Sequence, residues 1–77
     1  MRREVIGRTL CKNGFVVSTV GFPGLNQRGG DYETAMWNRY SPIEVMEQCE
    51  TPQQAIKAHN RYVRENDGRS WWDWFLP

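Results

Sequence analysis

The chain has 77 residues, 39% of them hydrophobic and 13% aromatic, with 25% charged residues and a formal net charge of +1. That apolar content suits one small folded domain over residues 1–77, leaves no room for a second, and argues against a disordered chain. A near-neutral balance with scattered Lys and Arg argues against a nucleic-acid partner, and no apolar run approaches the roughly 20 residues of a membrane span.

Met1-Arg2-Arg3-Glu4 is followed by no signal-peptide core, so the chain reads as cytosolic. Its two cysteines, Cys11 and Cys49, lie far apart with no Cys-x-x-Cys and no pair of histidines, which argues against structural zinc. They read instead as reduced thiols packed in or near the core.

In chain order, the first strand is expected from Val5 to Lys12 and the second from Phe15 to Val20, a run rich in β-branched residues. Asn13-Gly14 between them predicts an antiparallel hairpin with a type I′ turn. Gly21, Phe22-Pro23-Gly24 and Gly29-Gly30 then punctuate a loop to Asp31, longer than common hairpin connections and so a candidate functional loop. The third strand is expected from Tyr32 to about Arg39, with Tyr32, Thr34 and Met36 on one face and Glu33, Ala35 and Trp37 on the other. Asn38 to Pro42 reads as a turn. A fourth strand follows from Ile43 to Cys49, with Ile43, Val45 and Cys49 on one face and Glu44, Met46 and Gln48 on the other.

Thr51-Pro52-Gln53-Gln54 signals a helix start, with Thr51 as N-cap, Pro52 in the first helical position and Gln54 placed to close a capping box. The helix is expected to reach about Asn66, burying Ala55, Ile56, His59, Tyr62 and Val63 against the sheet while Gln53, Lys57, Asn60, Arg61 and Arg64 face outward. Asp67-Gly68 supplies its stop. The last segment gathers Trp71, Trp72, Trp74 and Phe75, apolar surface that either completes a small core or anchors a partner or a second copy of the chain.

Polar strand residues beside the glycine-rich loop form the candidate binding face: Ser18, Thr19, Asn26, Gln27, Arg28, Asp31, Glu33 and Thr34. The single histidine, His59, joins it if it lies at the sheet edge within reach of Ser18, Thr19 or Glu33. Otherwise it is a packed residue with one hydrogen bond. The loop amides with Arg28 could receive a phosphate, although the spacing is neither a Walker loop nor a dinucleotide fingerprint. No nucleophile, base and orienting residue assemble by spacing, so the chain is not expected to be an enzyme, and no cofactor or metal is expected.

Val17-Ser18-Thr19-Val20, Gly24-Leu25-Asn26, Tyr32-Glu33-Thr34-Ala35-Met36 and the helix start from Thr51 to Ala55, with His59 four residues on, together resemble a family of small bacteriophage proteins. Its members carry a Val-Ser-Thr-Val strand, a Gly-Leu-Asp-His-type loop, a Phe-Glu-Thr-Met strand and a helix with an Ala and a following His. The resemblance spans most of residues 5–65 and brings no biochemical activity. It implies a phage genome and the cytoplasm of the infected bacterium. Asn26-Gln27 stands in place of Asp-His, Tyr32 in place of Phe, and Ala35 separates Thr34 from Met36; any chemistry of that Asp-His pair is expected to be lost here.

The expected fold is α+β: an antiparallel four-stranded sheet, one helix on a face, and the Trp-rich tail at an edge or as an added strand. The expected function is that of a phage accessory that acts by binding, most directly inhibiting or redirecting a host protein such as a defence component. Sequestration of a small nucleotide in the loop, a role in the virion or its assembly, and a homodimer through the Trp segment are the other readings.

Overall fold

A computed structural model describes residues 3–67. The strands β1 (Glu4–Leu10), β2 (Val16–Gly21), β3 (Tyr32–Asn38) and β4 (Ser41–Cys49) form one antiparallel sheet in the order β1-β2-β3-β4, and α1 (Pro52–Asp67) follows. The architecture is α+β, as the alternation and the capping signals require. The expected packing of the Trp-rich tail, and Gly68 as helix stop, lie outside the described residues.

The β1–β2 connection is not the type I′ turn expected from Asn13-Gly14. Cys11 N–H donates to the Phe15 carbonyl at 2.8 Å and Gly14 N–H to the Cys11 carbonyl at 3.0 Å. Only Gly14 takes a positive φ, 91°. The reason lies in Asn13, whose side-chain oxygen accepts from Phe15 N–H at 3.0 Å while its backbone stays on the common side. This is a three-residue loop closed by a glycine bulge.

β4 departs most from expectation. It begins at Ser41, so Pro42 lies inside a strand rather than in a turn, and the turn shrinks to Arg39 and Tyr40 with Tyr40 N–H bonded to the Asn38 side chain at 2.8 Å. β4 is an edge strand, and Pro42 falls in the register shift between Met36 and Asn38, where a missing donor breaks no ladder bond. A second shift between Thr34 and Ala35 resets the alternation. Cys49 and Glu47 therefore oppose Tyr32 and Thr34, while Val45 opposes Ala35 on the other face. The expected grouping of Ile43 and Val45 with Cys49 is thus broken by a bulge that no periodicity reveals.

The helix starts as its sequence dictates. Gln54 N–H donates to the Thr51 hydroxyl at 3.2 Å, and the Gln54 side-chain oxygen accepts from Thr51 N–H at 3.3 Å. The buried stripe is Ala55, Ala58 and His59, with Tyr62 and Val63 half-buried. Ile56, expected on it, is exposed because Ala58 occupies the position nearest the sheet. The expected outward residues all face solvent.

Two apolar clusters lie under the helix. One gathers Tyr32, Cys49, Ala55 and Ala58 with Ile6 and Tyr62 packed on it; the other gathers Cys11, Val17 and Met36 with Phe15, Tyr62 and Val63. Both cysteines are free and buried, as expected. Replacing Thr51 with Ala removes one half of the reciprocal cap and should cost about 1 kcal/mol of unfolding free energy in urea titration. An unchanged midpoint would contradict the cap's role.

Candidate functional site

Alternation sends Val17, Thr19 and Gly21 of β2 to the side of the sheet that carries Tyr32, Thr34 and Met36, and α1 lies on that side. Two of the sequence-selected polar residues are therefore driven into the interior: Thr19 is 0% and Thr34 1% exposed. His59 descends on them from the helix and is 7% exposed. Its Nδ1 lies 2.8 Å from the Thr19 hydroxyl, which in turn lies 2.7 Å from the Thr34 hydroxyl. Its Nε2 lies 3.0 Å from the Thr9 hydroxyl on β1.

The imidazole sits there because β1 offers a glycine beneath it. A Cβ on Gly7 would stand 3.0 Å from Nε2, closer than an ordinary contact. His59 thus makes two hydrogen bonds rather than the one expected, and it reaches Thr19 but not Ser18 or Glu33, which belong to the opposite face of the sheet. Among the described residues, every buried side-chain nitrogen and oxygen has a partner. Thr19 stands between two partners and gives one bond while it takes the other, so a neutral imidazole closes the chain in either tautomer.

Ser18 is buried on the helix-free face, where Arg8 lies across it with Nε 3.4 Å from its hydroxyl and the guanidinium 5.8 Å from the centre of the Trp37 ring. Glu33 shares that face, opposite Val20.

The remaining candidates, Asn26, Gln27, Arg28 and Asp31, are together in the loop at the far end of the sheet. Asp31 organises it: one carboxylate oxygen accepts from Gly24 N–H at 3.1 Å, the other from Gln27 N–H at 2.8 Å, and its backbone carbonyl from Phe22 N–H at 2.8 Å. Asn26 takes a positive φ of 57°, which Asn tolerates better than other residues with a side chain. Leu25, Asn26 and Arg28 face solvent. A shallow hollow beside them is lined by Asn26, Gln27, Gly29, Gly30, Asp31 and Glu50.

The arrangement offers little for covalent chemistry. Burial pushes the Cys11 thiol up, with Asp67 beside it adding to the shift, and burial with Glu47 does the same to Cys49. Both thiols are thereby held in the unreactive protonated form. Among the described residues no group of three or more His, Cys, Asp and Glu comes together as metal ligands, and no helix is long and apolar enough to cross a membrane.

The sequence-selected residues thus fall into three places: an interior chain of Thr19, Thr34 and His59, the helix-free face with Ser18 and Glu33, and the loop. Trp71, Trp72, Trp74 and Phe75 lie outside the described residues. Thr9 and Gly7 were missed; a threonine and a glycine in an edge strand carry no signal of a histidine that arrives from fifty residues away. The chain matches no family model, no curated protein and no solved structure.

Burial of the imidazole lowers the His59 pKa from its ordinary 6.5. Between that lowered value and about 6.5 the unfolded chain binds more protons than the folded one, so this contribution to stability is complete above the window and is lost as pH falls through it. Compared with a His59→Gln variant, the wild-type unfolding free energy should decline on acidification below about 6.5, with a slope of at most about 1.4 kcal/mol per pH unit. Parallel pH profiles would contradict the burial of a neutral imidazole.

Proposed function

We propose that this is a bacteriophage accessory protein that works in the bacterial cytoplasm by binding a host protein, with the loop from Phe22 to Asp31 as its contact surface. The observation that carries the proposal is the Asp31 carboxylate, which gathers the Gly24 and Gln27 amides and holds the backbone while Leu25, Asn26 and Arg28 stand outward. A loop fixed before binding loses less conformational entropy when it docks. An exposed leucine between polar side chains, with an arginine beside it, suits a protein surface that mixes an apolar anchor with directed hydrogen bonds. The setting rests on the resemblance in the strand and loop phrases.

The same geometry disfavours nucleotide capture. A phosphate entering the loop would have to displace Asp31 from the amides it occupies, and it would meet Glu50 on the hollow's wall. No second reading is favoured by a specific observation.

The test is affinity capture from bacterial lysate followed by calorimetry with the recovered protein in pure form. Wild type should retain one stoichiometric partner, and Arg28→Glu should weaken the purified pair by about tenfold or more, equivalent to about 1.4 kcal/mol. Equal binding by the variant, or no stoichiometric partner, would overturn the proposal. A thermal shift with cyclic nucleotides would favour the sequestration reading instead.

A further inference from the structure

The last residues of β4 stand beside the helix, and a groove runs between them. It is lined by Glu47, Gln48 and Cys49 of β4 and by Gln54, Lys57, Ala58 and Arg61 of α1. Cys49 and Ala58 are buried, while Gln48, Gln54 and Lys57 are exposed at its rim.

β4 is an edge strand, so every second N–H and C=O along its outer side lacks a partner strand. The edge is not equally open along its length. Pro42 and both register shifts, one of which leaves Met46 out of the pairing with β3, fall before Glu47. Such features turn an added strand away. From Glu47 to Cys49 the register is unbroken, against Thr34, Glu33 and Tyr32, and this plain stretch is the one that borders the groove.

The charges of the groove are unevenly spent. The Glu47 carboxylate is engaged within the fold by the Arg61 guanidinium and by the Tyr62 hydroxyl at 3.2 Å. Among the described residues Lys57 forms no ion pair, and no second carboxylate lines the groove. Three residues before Lys57, and so a neighbour on the helix surface, the Gln54 side-chain oxygen accepts from Glu50 N–H at 3.0 Å and from Thr51 N–H at 3.3 Å. With that oxygen held by the cap, the amide nitrogen is the end of Gln54 left to donate to an occupant. An ammonium and an amide N–H side by side suit a carboxylate.

We propose that this groove takes an extended acidic segment of a partner protein. The segment adds to β4 along Glu47–Cys49 through backbone hydrogen bonds and sets a carboxylate side chain against Lys57 and the Gln54 amide. The strand backbone supplies the attachment, and the cation selects the sequence that attaches. The groove is a surface separate from the loop from Phe22 to Asp31, and the proposal stands without the loop's role.

The test is amide NMR with hydrogen exchange on the full chain. Its probes are the acetylated and amidated peptide Thr-Val-Glu-Val-Thr, whose β-branched residues favour the extended form, and the same peptide with Lys in place of Glu. The expected result is shifts at Gln48, Cys49 and Lys57 and slowed exchange of an amide within Glu47–Cys49, on addition of the Glu peptide and not the Lys peptide. Lys57→Glu, a change on the exposed side of the helix, should weaken the Glu peptide about fivefold. Arg64→Glu, on the same helix but outside the groove, should leave its affinity as it was. Equal binding of the two peptides, an equal loss in the two variants, or no shifts at all would overturn the proposal. Shifts confined to Gln54 and Lys57 that sodium acetate reproduces would assign the site to a free anion and overturn it. Protection of the edge that grows with protein concentration in the absence of peptide would assign it to a second copy, and would overturn it as well.

Discussion

The hydroxyl of Thr19 is closed to solvent between Thr34 and the His59 imidazole, and the packing of helix on sheet depends on that arrangement. Among the described residues the three largest fully buried side chains are Val17, Thr19 and Thr34, so the centre of this small interior is polar. Apolar clusters lie to either side of it, joined by Tyr62, which packs on both. A buried hydroxyl without a partner costs about 1–3 kcal/mol, a large share of what a domain this size has to spare. The helix is therefore held at one height and one rotation, those at which His59 reaches Thr9 and Thr19 together. The Arg61–Glu47 ion pair on the outside contributes far less, since both partners are in contact with water.

This interior chain also decides where recognition can occur. It takes Thr19, Thr34 and His59 out of reach of solvent, and of the sequence-selected polar residues those of the loop and Glu33 on the helix-free face are left outside it. The loop is tied to the same scaffold at both ends, by the antiparallel pairing of Gly21 with Tyr32 and by the Asp31 bonds. Its outward side chains are thus carried on a rigid base rather than on free chain. Sheet, helix and loop form one mechanical unit, in which the polar centre sets the helix, and the helix start stands beside the loop through Glu50.

Much of this was legible in the residues. Strand phrases with β-branched residues, the alternation of Tyr32, Thr34 and Met36, and the reciprocal cap of Thr51 and Gln54 are local signals, and local physics determined the outcome. The misses have one common cause, which is information held by neighbours in space. Cys49 and Val45 part company because β4 bulges against β3. Ile56 gives way to Ala58, which packs with Tyr32, Cys49 and Ala55 while Ile56 points to solvent. The polar residues beside the loop were read as one face, yet alternation and the helix divide them. Ser and Thr look alike in a strand until it is known which side is covered. Asp31 was selected as a binding residue, and the loop's own amides turn out to be among its partners.

The central claim is that His59 is a neutral, doubly bonded interior residue that fixes the helix on the sheet. It is tested most directly by the nitrogen-15 shifts of its imidazole followed through a pH titration of the folded protein. The account predicts a neutral imidazole at neutral pH, with one nitrogen protonated and the other not, and a midpoint below 6.5. A midpoint at or above 6.5 would contradict it, and would return His59 to the protein surface.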